Sequence, residues 1–152
     1  MEASSISHIA FCVRDVEKSL AFYRDVLGMK VTFDQLQDTT SGSLPNVYQH
    51  LRQTRRTVHL TFGENPADPF LVMTTHPGES PDGEPIKLDQ VGISHFSFTV
   101  RDPKALAEEL TVKGVRLAGP IDTWMDAKGN IRSFYVYDPD GILIQFDAGV
   151  GA

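Results

Sequence analysis

The sequence predicts an α+β protein built from two βαβββ modules joined by a short linker. Three observations carry that prediction. The segment ISHIAFCVRD, from Ile6, returns as ISHFSFTVRD from Ile93, and each copy runs on into a helix-like stretch, a glycine and a β-like stretch. An internal repeat of this length marks two copies of one structural unit. Within each copy, apolar residues alternate with small or polar ones, which is the period of a half-buried strand. Between the copies, residues 76–90 (HPGESPDGEPIKLDQ) are rich in Pro, Gly and Asp and read as the linker. The expected organisation is one domain over 1–152, with a first module at 6–75, the linker at 76–90 and a second module at 91–147.

Each element has its own signal. In the opening strand of the first module Ile9, Phe11 and Val13 share one face and His8, Ala10 and Cys12 the other; in the second, Phe96, Phe98 and Val100 oppose His95, Ser97 and Thr99. The bulky face should pack on the following helix. The opposite face, a histidine followed by small side chains, suits a cleft wall. Asp15 is placed to cap the first helix, whose stripe is Val16, Leu20, Tyr23 and Leu27, with Gly28 as its stop. Asp102 caps the second, Pro103 fits its first turn, Leu106 and Leu110 form its stripe, and Gly114 ends it. Glu109 and Lys113 make a favourable i,i+4 pair. Strands follow at 29–36, 56–62 and 70–75, and at 115–118, 132–137 and 142–147. Residues 38–55 form a long insertion, with a helical turn expected near PNVYQHLR.

Alternation carried into the later strands assigns their faces. Val58, Leu60 and Phe62 point inward, leaving Thr57, His59 and Thr61 opposite; Phe134 and Val136 point inward, leaving Ser133, Tyr135 and Tyr137 opposite. His59 and Tyr135 therefore occupy corresponding positions in the two copies. In the last strand Ile142, Ile144 and Phe146 are the greasy face and Leu143 and Gln145 the other. In FLVMTT both faces are apolar, so either Val72 or Met73 matches Gln145. If the halves pair, a shared cleft would be lined by His8, Cys12, His59, His95, Tyr135, Tyr137, Gln145 and one apolar side chain. The run Asp138-Pro139-Asp140-Gly141 is a turn, and its carboxylates are given no catalytic role. His50 and His76 fall in expected loops and should face solvent.

Composition bounds the function. At 41% hydrophobic and 22% charged residues, the 152-residue chain is ordinary globular material. A net charge of -6 without a Lys/Arg run argues against nucleic acid as a partner and against an anionic membrane surface. Cys12 is the single cysteine, so an intrachain disulfide is impossible and a reducing compartment is the simpler expectation. No basic n-region, apolar h-region or long apolar run is present, and the expected setting is cytoplasmic.

These features together resemble the vicinal oxygen chelate superfamily, which includes glyoxalase I, fosfomycin-resistance proteins, extradiol dioxygenases and bleomycin-resistance proteins. The carriers are SHIAFCVRD…SLAFYRDVLGMKV, GISHFSFTVRD and DPDGILIQF, and the resemblance covers residues 6 to 147. It implies paired βαβββ modules whose mixed sheets curl around a cleft, usually within a homodimer. It also implies metal ligands on the first and last strands of modules. His8 and His95 match the first-strand positions, and Gln145 matches a last-strand position that is most often glutamate. FYVYDPDG resembles the extradiol dioxygenase signature, with Tyr135 at the tyrosine that touches substrate. The histidine that this signature wants upstream is missing, and Gln145 replaces its glutamate, so ring cleavage is disfavoured.

Two function classes follow. In the first, favoured by the pair of first-strand histidines, His8, His95 and Gln145 hold a divalent ion (Zn, Ni, Mn or Fe). The ion polarises an oxygen of a small substrate while His59 shuttles a proton, as in a glyoxalase-like lyase or isomerase. Tyr135 is the second catalytic candidate. In the other, a metal-free protein sequesters a flat molecule between Tyr135, Tyr137 and Trp124, with Cys12 as a small filler of the cleft.

Overall fold

The computed structural model describes residues 2–149; Met1 and residues 150–152, the extremes of the expected domain, lie outside the described residues. Two compact units part between Asp82 and Gly83, and each has its own sheet. The first unit holds strand β1 (His8–Cys12), helix α1 (Val16–Leu20) and strands β2 (Lys30–Asp38), β3 (Thr54–Thr61) and β4 (Phe70–Thr75). Its strand order is β1-β4-β3-β2. The β1–β4 pair is parallel and the others antiparallel, giving a mixed βαβββ unit. The second unit holds β5 (His95–Thr99), α2 (Pro103–Val112), β6 (Ser133–Tyr137) and β7 (Leu143–Asp147), ordered β5-β7-β6 with β5–β7 parallel.

The strand expected at 115–118 is a correction. Only an isolated bridge, Leu117 to Val136, forms there, framed by Tyr137 N–H donating to the Arg116 carbonyl and Ala118 N–H to the Tyr135 carbonyl. The segment lies along β6 where a fourth strand would lie. The ladder then stops at Gly119-Pro120, since Pro120 has no N–H to donate.

Both helices begin as their sequences dictate. The Asp15 side chain accepts from Lys18 N at 3.2 Å and that of Asp102 from Ala105 N at 3.0 Å, satisfying donors at each N-terminus. After Leu20 the first helix widens into π-helical turns over Ala21–Val26, where Leu27 N–H reaches back five residues to the Phe22 carbonyl. The wider turn buries both of two successive aromatics, Phe22 and Tyr23, which a regular α-helical stripe could not do as fully. Gly28 ends the helix at φ 82°, a left-handed conformation that favours glycine. In α2 the deepest residues are Ala107 and Leu110; Leu110 lies on the expected stripe, whereas Leu106 is only half-buried and Ala107 takes the deep place beside it.

The inward faces of the sheets form the cores. Val58, Leu60 and Met73 in the first unit, and Phe134, Val136 and Ile144 in the second, are fully buried. Phe62, expected inside, is 45% exposed: β3 ends at Thr61 and the chain bends at Phe62–Gly63, so alternation no longer applies.

The 38–55 insertion is tied down rather than loose. It contains a 3-10 turn at Leu44–Val47, overlapping the expected helical turn. Thr39 is fully buried and donates through Oγ1 to the Arg52 carbonyl at 2.7 Å. Arg52 pairs with Glu79 at 3.4 Å and His50 with Asp82 at 2.8 Å, while the Tyr48 ring meets the His76 ring edge-on at 5.2 Å. His76 is therefore not the solvent-facing residue expected. It is buried, its Nδ1 2.9 Å from the Thr54 carbonyl, because the insertion folds back over it. Among the described residues, no helix is long and apolar enough to cross a membrane.

Candidate functional site

Strand register resolves which residue matches Gln145. In the first unit His8 pairs with Phe70 and Ala10 with Val72; in the second His95 pairs with Leu143 and Ser97 with Gln145. Since His8 and His95 are equivalent by the repeat, Gln145 corresponds to Val72. Met73 points the other way and is fully buried. The same register pairs His59 with Val72 and Tyr135 with Gln145, so the correspondence of His59 with Tyr135 holds in the folded strands.

The first unit carries a cavity of about 450 Å³ on the face opposite its core. That size suits a small organic ligand. His8, Cys12 and His59 line it, as alternation predicts, together with Val72, which alternation left undecided against Met73. Sequence reasoning missed much of the rest. The His59 ring is stacked on Phe33, 4.6 Å between centroids and 25° between planes, and lies 4.9 Å from Phe70, which in turn meets His8 at 5.4 Å. Tyr48, from the insertion, brings its buried hydroxyl to the wall, and that hydroxyl has no hydrogen-bond partner among the described residues. Arg55 and Gln37 complete the polar part. These two form a cross-strand pair, with Arg55 Nε and Nη2 donating to Gln37 Oε1 at 3.2 and 2.7 Å and Thr57 Oγ1 donating to the same oxygen at 2.9 Å.

Burial lowers the pKa of His59 below the ordinary imidazole value, and the neighbouring His8 and Arg55 push it the same way. A group so depressed favours folding while it is neutral. That contribution is present above the unfolded value, ~6.5, and is lost as pH falls from there towards the folded pKa, because the unfolded chain takes up its proton first. His59→Gln is therefore expected to flatten the fall in stability as pH drops below about 6.5, measured by urea denaturation at each pH. An unchanged slope would remove His59 as its source.

In the second unit the other candidates divide. His95, Tyr135 and Trp124 come together: the Tyr135 hydroxyl lies 3.4 Å from His95 Nε2, their rings meet edge-on at 5.1 Å, and the Trp124 ring is 5.6 Å from that of Tyr135. Burial, then the Asp147 carboxylate, raises the pKa of Tyr135, so the phenol keeps its proton and can donate it to His95. Tyr137 is held elsewhere. Lys87 Nζ lies 4.5 Å and the Arg116 guanidinium carbon 4.2 Å from the centre of its ring, so cations already cover the surface that was expected to stack on a ligand. Trp124 also lines a second cavity of about 700 Å³ that includes neither Tyr135 nor Tyr137.

A serine precedes each first-strand histidine, and each touches its ring. Ser7 Oγ is 3.1 Å from His8 Nδ1, and Ser94 Oγ is 2.8 Å from His95 Nδ1. Such contacts fix ring orientation and leave Nε2 as the outward nitrogen. The repeated I-S-H triplet was the signal, read for its histidine alone.

The sequence profile of the Glyoxalase/Bleomycin resistance protein/Dioxygenase superfamily matches residues 5–146. The chain belongs to that superfamily. Solved structures agree on the fold. A glyoxalase family protein from Bacillus cereus is 16% identical, with 98% of this chain and 97% of that one covered at a TM-score of 0.73. The trypanothione-dependent glyoxalase I of Leishmania major is 23% identical, with 95% and 86% covered at 0.66. The fosfomycin resistance protein FosX of Mesorhizobium loti is 20% identical, with 99% and 95% covered at 0.59.

Within this superfamily frame, the donors do not fit a resident divalent ion. In the first unit the corresponding strand positions supply one imidazole and the isopropyl group of Val72, and in the second one imidazole and the neutral amide of Gln145. None of these carries the negative charge that would offset a dication. Among the described residues, no three His, Cys, Asp or Glu side chains gather as a metal-binding group. His95 Nε2 already faces the Tyr135 hydroxyl.

Proposed function

We propose that the protein binds a small flat molecule without a resident metal, taking it into the aromatic cavity of the first unit. The observation that carries this reading is Val72. It occupies the first unit's counterpart of Gln145 and lines the cavity beside the Phe33–His59–Phe70 rings, supplying apolar surface and no ligating oxygen. Stacked rings bind planar groups through dispersion and through their complementary edge and face charges. The lyase or isomerase expected from the paired histidines would have only His8, His95 and the neutral Gln145 to hold its ion, since an isopropyl side chain offers no donor.

Elemental analysis of protein purified without chelator or affinity nickel tests the reading. Wild type is expected to hold far less than one equivalent of divalent metal, while Gln145→Glu and Val72→Glu raise the content by restoring an anionic donor. His95→Ala, which lies outside the first unit's cavity, should leave ligand affinity within about 1 kcal/mol, the scale of one ordinary hydrogen bond. Near-stoichiometric metal in the wild type, lost together with binding in His95→Ala, would return the lead to the metal-assisted enzyme.

A further inference from the structure

The chain carries 20 acidic residues and a net charge of -6, yet no aspartate or glutamate is among the described residues that line the first unit's cavity. The contrast is sharpest on β3, where two successive arginines point to opposite faces. Arg56, on the core-helix side, is fully compensated: it binds Asp34 through Nε at 3.0 Å and Nη2 at 2.8 Å, and Glu17 through Nη1 at 2.8 Å. Arg55 enters the cavity half-buried, and its partner across the strands is the neutral Gln37. Among the described residues, no carboxylate comes within ion-pair distance of Arg55. A guanidinium keeps its charge under all ordinary conditions, so a cation remains beside two imidazoles and a stack of rings without a counter-charge.

Gln37 also decides which part of that cation is available. Its Oε1 takes Nε–H and one Nη2–H of Arg55. The end-on edge, Nη1 with the second Nη2–H, remains, and two parallel N–H groups at that spacing match the two oxygens of a carboxylate. We infer that the cavity recognises a flat conjugated carboxylate, its rings or double bonds lying against Phe33, His59 and Phe70 and its anionic end on Arg55. This inference rests on the proposed small-molecule reading and adds the ligand's charge to it. Protonation of His59 at lower pH would add a second positive group to the same wall.

Cinnamate and its uncharged isostere cinnamamide separate the two ideas when titrated calorimetrically into the full chain. Cinnamate is expected to bind roughly tenfold more tightly than cinnamamide, the discrimination that one charge-assisted contact supplies. Gln37→Glu keeps an acceptor for all three existing donors while neutralising Arg55, and it should abolish the preference. Arg55→Gln should do the same and serves as the second route should the glutamate variant be unstable. Equal affinity of the wild type for both compounds would overturn the inference and leave the aromatic-cavity reading standing. Binding of neither compound would overturn that reading, and the inference with it. A cinnamate preference that survives both substitutions would place the anion contact elsewhere and overturn the assignment to Arg55.

Discussion

Replacing Phe134 with alanine is expected to lower the unfolding free energy by about 3–5 kcal/mol, the usual cost of emptying a buried aromatic site. Phe134 is fully buried, and its ring stacks on Phe146 at 5.3 Å across the β6–β7 pair. Val136 and Ile144, which pair next along the same two strands, are equally inaccessible, so little around the void can shift to fill it. Urea denaturation of wild type and variant gives the difference directly. Phe134→Leu, which keeps most of the volume, should lose much less. A loss under about 1 kcal/mol for alanine would mean that this face of the sheet is not the second unit's core.

Asp138→Ala is expected to cost about 2–3 kcal/mol, in line with the loss of backbone hydrogen bonds to a charged acceptor. Asp138 is 5% exposed, and its Oδ1 accepts from both Asp140 N and Ile142 N at 2.9 Å. Its own N–H donates to the Ile142 carbonyl at 2.9 Å, and its carbonyl accepts from Gly141 N at 3.0 Å. One side chain thus organises the turn that sets Tyr135 opposite Gln145. Asp138→Asn retains an acceptor oxygen and should lose a fraction of that amount. Amide hydrogen exchange at Asp140 and Ile142 provides the local check: both should speed up in the alanine variant, and unchanged protection there would show that the turn holds without the carboxylate.

Where one face of a strand is buried and the other is not, the sequence was sufficient. The faces of β1 and β6, the two aspartate caps and the correspondence of His59 with Tyr135 all follow from period-two alternation and capping chemistry. Val72 and Met73 could not be separated that way, because FLVMTT is apolar on both faces; only the register of β4 against β1 decides between them. The polar part of the cavity escaped for a related reason. Expected strands at 29–36 and 56–62 stop just short of Gln37 and Arg55, whereas β2 runs to Asp38 and β3 starts at Thr54. Neither extension has an apolar rhythm to announce it. The arms are held by pairing with each other, and the Arg55–Gln37 contact is part of that hold. Tyr48 was hidden in an insertion whose shape depends on contacts with residues 76–82, far along the chain.

The wide turn at Ala21–Val26 also preserves a trace of how the two copies diverged. Twelve residues separate the cap Asp15 from Gly28, but eleven separate Asp102 from Gly114. The first copy has gained a residue, or the second has lost one, between identical landmarks. A π-helical ladder accommodates one extra residue per such step without displacing either end. The difference in length was therefore absorbed inside the helix, and the parallel pairs β1–β4 and β5–β7 keep equivalent registers. Duplicated units of this kind can drift in length along their helices while the strands that bear the ligand-facing side chains stay in phase.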